Sequence, residues 1–282
     1  MVTIKYSREY FSIEDTLFCG QIFRFEPYKE GYKVFAEDKC CYAYNSGEFA
    51  YVECEEEDEE FFYNFFDLER DYSQIYNSAI NSGYDIIVKS AKAGKGIRIL
   101  NQNPIEMLFS FMISQNNNIP RIKNSINAIC SFLGDEKNFN GKNYFAFPTV
   151  DRLKNQSVDF YKRVGLGYRA EYFFSLAKNL NDRIIDINSI KNLSTKELKK
   201  ELMKIYGVGE KVADCVLLFG FRRTDSFPVD TWIDKVYRED FLGTEKNRHK
   251  ITDFLLGKFK ENSGYFQQYL FYYKRSKEKG EI

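Results

Sequence analysis

The amino-acid sequence predicts an α+β protein in two parts, an N-terminal antiparallel β-sheet domain over residues 1–100 followed by an all-α domain over residues 101–282. Three observations predict it. Between Gln21 and Val52, short runs rich in Tyr, Phe and Val, such as "YKVFA" and "CYAYN", are separated by "KEG" and "NSGE", the pattern of antiparallel hairpins. Beyond residue 100, apolar residues recur at helical spacing behind recognisable caps. The charge also changes sign there. Residues 1–100 carry 11 Lys and Arg against 19 Asp and Glu, a net of −8, which leaves 30 against 22, a net of +8, for the rest of a chain with 41 of each.

A chain of 282 residues has ample material for a packed core. No apolar run is long enough to span a bilayer, and Met1–Tyr10 has no secretory apolar region, so a cytoplasmic protein without a membrane partner is expected. Of six cysteines, Cys40 and Cys41 are adjacent and the others lack finger-like spacing, which suits reduced, buried thiols and no metal site. The zero net charge conceals a basic second part that can sit on phosphate while the acidic first part faces away.

The elements follow in order. After the hairpins, "ECEEEDEE" (Glu53–Glu60) reads as a solvated loop or helix start, and "KAGKGIR" leads into the second part. Asn103, Pro104 and Glu106 read as N-cap, first turn and capping-box partner of a helix whose apolar face includes Met107, Leu108, Phe111 and Met112. That helix runs into "SQNNN". Ser194 and Glu197 form a second capping box, Leu193 and Leu198 a hydrophobic staple, and Leu198, Leu202 and Ile205 carry the apolar stripe into "YGVGEKVADC", Tyr206–Cys215.

Glycines at 207 and 209 permit positive φ and remove side chains from this turn, so a phosphate can approach the N–H groups of the next helix. Taken alone, the turn reads as an ordinary αα connection with Gly207 as helix C-cap. Lys211 adds chemistry. It lies in the first turn, where the dipole disfavours a cation, and Cys215 at i+4 shares its face; a lysine so placed is a candidate amine nucleophile. In "SFPVDTW", Pro228 holds the preceding residue extended and Asp230 is placed to cap the next helix. Its carboxylate can also stabilise positive charge or assist proton transfer near Lys211.

"GVGEK" with "PVD", whose aspartate lies nineteen residues after the lysine, resembles the helix-hairpin-helix plus Gly/Pro/Asp motif of the base-excision DNA glycosylase superfamily. By that resemblance Lys211 attacks C1′ of the damaged nucleotide to form a Schiff base and Asp230 assists. The branch with an iron-sulfur cluster places four cysteines beyond the aspartate; no cysteine follows Cys215 here, so that cluster cannot be built.

What remains is similar to the 8-oxoguanine DNA glycosylase/AP lyase family, from about residue 17 to the C-terminal helix. "CGQIFRF" matches the family's Gly-Gln-x-Phe-Arg segment, which implies that Gly20 offers its carbonyl to the N7 hydrogen of the lesion. A carbonyl accepts from N–H and rejects the lone pair of ordinary guanine. "SQNNNIPR" implies that Asn116 fills the space left by the flipped base and that Arg121 faces the estranged cytosine; "GLGYRAEY" implies Tyr168 as a wedge and Arg169 as the second arginine. "GYFQQYLFYYKR" implies Gln267 on the Watson–Crick edge and Phe271 stacked on one face of the base, with Cys215 on the other. Phosphates would meet the N–H groups of Gly207, Gly209 and Val212.

The resemblance further implies a TBP-like sheet domain, a lesion pocket between the two parts, double-stranded DNA containing 8-oxoguanine as partner, no cofactor, and an alkali cation on the hairpin carbonyls. A compact, monomeric bacterial form acting with the nucleoid is expected. There are departures. Trp232 stands where the animal enzymes have histidine, so the family's histidine–phosphate contact on the 5′ side is either lost or replaced by the indole N–H; the sole histidine, His249, lies elsewhere, and Gln115 stands where serine is common. Two alternatives stay open: a superfamily member for another lesion, such as an alkylated base or an oxidised pyrimidine, and a non-catalytic DNA-binding module.

Overall fold

The computed structural model describes residues 1–280. Five strands, β1 (Val2–Ser7), β2 (Phe25–Tyr28), β3 (Gly31–Ala36), β4 (Lys39–Ser46) and β5 (Phe49–Cys54), form an antiparallel sheet in the order β1-β5-β4-β3-β2. The hairpins of residues 21–52 thus form where the alternation places them. β1 is additional. It pairs with β5 from Val2↔Cys54 to Ser7↔Phe49, but as an edge strand only its Ile4 is buried, too weak a pattern to read from sequence. The acidic stretch ends β5 and then supplies the first turn of the helix Glu59–Phe65.

One core lies under the sheet, built from Phe11, Leu17, Val34, Val52, Phe62 and Phe66 among others. The larger core belongs to the helices. Tyr72–Ile80 and Asp85–Ala93 precede residue 100, yet Ile75, Ala79, Ile87 and Ala91 pack into this second core. The helical part also contains a small hairpin, β6 (Glu136–Phe139) and β7 (Lys142–Phe145), closed by Asn140 and Gly141 at φ 51° and 73°. The all-helical expectation fails there because Asn-Gly is the strongest short hairpin signal.

Glu106 corrects a second expectation. Asn103 caps the helix Pro104–Ser114 by accepting from the N–H groups of Ile105 and Glu106, but the Glu106 side chain does not reach back to it. Its carboxylate pairs with Arg24 at 3.1 Å and accepts from the Glu37 N–H at 3.0 Å. Arg24 also donates to the carbonyls of Glu37 and Phe145. A buried guanidinium demands such partners, and here they fasten the sheet to the helices. Among the described residues no helix is long and apolar enough to cross a membrane.

Candidate active site

The helix Thr195–Met203 starts from the complete Ser194/Glu197 capping box. The chain then turns through Gly207, at φ 87°, into the helix Glu210–Phe219. A side chain on Gly207 would enter the ring of Tyr172, which stands edge-on to Tyr206 at 4.7 Å. Gly209 departs from expectation: its φ is −91°, and a Cβ there would meet nothing within 4 Å. Only Gly207 uses the left-handed region. What Gly209 provides is open space before the first N–H groups of the helix, which no side chain caps.

Lys211 occupies that first turn. Its Nζ lies 3.4 Å from the Ser114 hydroxyl and 5.4 Å from the centre of the Phe111 ring. One turn on, burial pushes the Cys215 thiol up to about 11, against the lowering influence of the Lys211 charge. Cys215 therefore stays a thiol and contributes shape. The preceding residue, Asp214, is equally buried, paired with Lys199 at 2.9 Å, and pushed up to about 6 by burial; the pair ties this helix to Thr195–Met203.

Asp230 caps the helix Thr231–Glu239 as expected, one carboxylate oxygen accepting from the N–H groups of Trp232 (3.0 Å) and Ile233 (2.9 Å). Burial raises its pKa, and those two N–H groups and the Lys211 charge oppose the shift. The lysine and the carboxylate share one cleft of about 920 Å³ between the two parts of the chain.

Gly20 forms the opposite wall. It sits at φ 85°, and a Cβ there would lie 2.8 Å from Cε1 of Phe271. The turn is held by fully buried Gln21, whose amide donates to the carbonyls of Thr16 and Arg98 and accepts from the Leu100 N–H. Gln267 comes from the helix Ser263–Lys279; its amide donates to the Pro228 carbonyl at 3.2 Å and accepts from Gln268 at 2.9 Å. Phe271, one turn later on the same helix, and Cys215 also line the cleft.

The asparagine loop and Tyr168 lie at the mouth. Asn116 is exposed at φ 44° and Tyr168 is 53% exposed, and both line the cleft with Trp232. Arg121 is exposed in the first turn of the helix Ile119–Leu133 and lies outside the cleft. Arg169 is buried, donating at 2.7 Å to the Gln115 carbonyl and at 2.8 Å to that of Asn116. Its guanidinium thereby holds the loop.

A family model described as the 8-oxoguanine DNA glycosylase N-terminal domain matches residues 3–108. A probable N-glycosylase/DNA lyase of Methanothermobacter thermautotrophicus is 30% identical over 74% of this chain and 72% of its own. The structure of Clostridium acetobutylicum 8-oxoguanine glycosylase/lyase, solved with double-stranded DNA containing cytosine opposite 8-oxoG, is similar with a TM-score of 0.91, 36% identity and 99% of each chain covered. The chain belongs to the 8-oxoguanine DNA glycosylase/lyase family. The Saccharomyces cerevisiae N-glycosylase/DNA lyase is also similar, 37% identical over 55% of this chain and 45% of its own.

Several residues of the glycosylase's cleft escaped sequence reasoning. Ser114 touches Lys211, and Arg248, at the start of the helix Arg248–Phe259, bears electrostatically on Asp230. Gln268 and Arg275 line the cleft from the same helix as Gln267. "QQ" and "KR" in the C-terminal helix carried a signal only in hindsight, since burial of polar side chains on an aromatic helix is not visible in its pattern. Among the described residues no cluster of three or more His, Cys, Asp and Glu is placed to hold a metal.

Proposed function

We propose that this glycosylase extrudes 8-oxoguanine paired with cytosine into the cleft, excises it through Lys211, and nicks the strand by β-elimination. The observation that carries the reading is the meeting of Lys211, Asp230, Gly20, Gln267 and Phe271 in one cleft, from segments up to about 250 residues apart. Nζ of Lys211, uncharged, bonds to C1′ as the C1′–N9 bond breaks; the base leaves with the electron pair and takes up a proton, and the amine loses one. Asp230 stabilises the positive charge that builds on the sugar. The C1′–O4′ bond then opens to give the imine, O4′ taking up a proton, and from that imine loss of a C2′ proton expels the 3′ phosphate.

Within the cleft, the Gly20 carbonyl accepts the N7 hydrogen that distinguishes the lesion from guanine, Gln267 reads the Watson–Crick edge, and the base lies between Phe271 and the Cys215 thiol. Asn116 occupies the vacated space and Tyr168 wedges the stack. Arg121 meets the estranged cytosine from the rim, and Arg169 joins it by exchanging its carbonyl partners. Phosphates bind the N–H groups of Gly207, Gly209 and Val212, with the Trp232 indole on the 5′ side. Residues 1–100 thus contribute the Gly20 carbonyl to the checking of the base, and the helical part beyond residue 100 supplies the other base contacts, grips DNA and performs the chemistry.

The steps use side chains alone. The hairpin carbonyls of Ile205, Gly207 and Gly209 each accept one hydrogen bond, from Val208, Gln115 and Ala213, and keep a second lone pair with which to hold a structural alkali cation. We place the enzyme in the cytoplasm with the nucleoid.

Borohydride trapping on a duplex with one 8-oxoguanine opposite each of the four bases tests the reading. Covalent product with the lesion opposite cytosine, absent for unmodified guanine and for Lys211→Gln, is expected. Trapping retained by Lys211→Gln would reject the nucleophile, and product on other lesions alone would reject the substrate.

A further inference from the structure

Arg275 is the least explained cation in the cleft. It is only 6% exposed, yet of its guanidinium nitrogens only Nη2 has a partner, the Phe18 carbonyl; Nε and Nη1 are buried without one. A buried, unpartnered guanidinium N–H is costly in a native protein unless something completes it. Nη1 faces the base-checking wall, 3.6 Å from where a Cβ on Gly20 would stand, and the guanidinium lies 5.2 Å from the centre of the Phe271 ring.

The helix fixes its distance from Gln267. Gln267, Phe271 and Arg275 follow one another at i, i+4 and i+8, so they lie on one face and the outer two are about 12 Å apart along the axis. A purine whose Watson–Crick edge meets Gln267 and whose face lies on Phe271 turns its imidazole edge toward Arg275. On that edge 8-oxoguanine differs from guanine in two places, a donor at N7 and an acceptor at C8. Gly20 answers the donor.

We propose that Arg275 is a specificity-determining residue that donates from Nη1 to the C8 oxygen of the extruded base, completing with the Gly20 carbonyl a donor-acceptor pair matched to the lesion. This rests on the assignment of 8-oxoguanine as substrate. Guanine, with C8–H in place of the oxygen, leaves Nη1 unpartnered and the Gly20 carbonyl opposed to a lone pair. A cation at C8–O also favours the departing base, whose negative charge spreads onto that oxygen.

The test compares wild type, Arg275→Met and Arg275→Lys in single-turnover base excision, with strand cleavage at a preformed abasic site measured beside it. Met keeps the side-chain stem; Lys keeps the charge. For Arg275→Met, excision of 8-oxoguanine opposite cytosine should fall about 10- to 100-fold, the range for losing a hydrogen bond from a charged group, while abasic-site cleavage stays within about threefold. Arg275→Lys should recover part of the loss. The loss should be equal for 8-oxoadenine, which keeps N7–H and the C8 oxygen but has an amino group in place of O6.

A loss confined to 8-oxoguanine would place the guanidinium on O6 and overturn the proposal. An equal fall in excision and abasic-site cleavage, with lowered melting temperature, would reduce Arg275 to a clasp between the C-terminal helix and the Phe18 carbonyl. Wild type that cleaves abasic sites but excises no 8-oxoguanine would instead overturn the lesion assignment, and the role of Arg275 with it.

Discussion

Replacing Gly20 by alanine adds one methyl group where the first part of the chain meets the C-terminal helix at the cleft. The backbone there has φ 85°, and an L-residue in the left-handed region costs roughly 1–2 kcal/mol. The new Cβ would lie 2.8 Å from Cε1 and 3.1 Å from Cζ of Phe271, against about 3.5–4.0 Å for carbon atoms at rest. The ring must therefore withdraw by several tenths of an ångström, and such overpacking typically costs about 1–3 kcal/mol.

The sum is about 2–5 kcal/mol of stability, or roughly 4–20 °C at 2–4 °C per kcal/mol for a chain of this class. On the proposed reading, a displaced Phe271 also weakens its stacking on the base, worth about 0.5–1.5 kcal/mol, and tilts the Gly20 carbonyl away from N7. Single-turnover excision of 8-oxoguanine should fall by about 10- to 100-fold, equivalent to about 1.4–2.7 kcal/mol of activation free energy. Cleavage of a preformed abasic site has no base to lose and should change little. Phe271→Leu in the Gly20→Ala background should return part of the stability, because the two positions are in contact. Unaltered melting temperature and excision in Gly20→Ala would refute the packing; equal loss of both activities would refute its link to base reading.

Asp230→Asn keeps a side-chain oxygen as helix cap but removes a carboxylate whose pKa burial raises above the ordinary 3.8. The native protein favours the protonated form, so this group's stabilising contribution is whole below pH 3.8 and is lost as pH rises through the raised native value. The variant should accordingly melt above wild type at pH 7, with the difference closing by pH 4, and its excision rate should fall roughly 100-fold or more. A variant less stable than wild type at pH 7 would contradict the burial argument. Replacing Arg121 and Arg169 together should flatten the ratio of excision rates opposite cytosine and opposite the other bases, and Arg169→Ala alone should also expose the Gln115–Asn116 loop to proteolysis. Arg24→Met strands the Glu106 carboxylate in the interior and should cost about 3–5 kcal/mol, measured by denaturant unfolding; Arg24→Met paired with Glu106→Leu should lose much less.

Local signals carried the fold well. The Ser194/Glu197 capping box, the alternation of β2 to β5 and the glycine turn before Lys211 are all written within a few residues of where they act. Asn140-Gly141 was just as local and was overlooked against a helical background. Glu106 shows the limit: its spacing from Asn103 fits a capping box, but a buried arginine 82 residues earlier competes for the carboxylate and wins, since an unpaired buried guanidinium costs more than an unfilled cap. The motif residues of the candidate site were legible because resemblance located them. Arg275 was not, because what makes it unusual is its burial against Phe18 and Gly20, more than 250 residues away, and no pattern within its own helix records that.

The asparagine loop has a consequence for how such an enzyme searches. Asn116 is a non-glycine residue at positive φ, a conformation that costs of order 1–3 kcal/mol where nothing supports it. Here Arg169 grips the Gln115 and Asn116 carbonyls, and the Gln115 amide reaches the Gly207 carbonyl at 3.0 Å. The loop's shape is thus set by the fold while those contacts last, and on the proposed reading Arg169 gives them up only where an estranged cytosine takes its guanidinium. If the loop is the probe proposed above, the undamaged pairs met before that exchange find it already shaped, and the ordering cost is not incurred afresh at each of them.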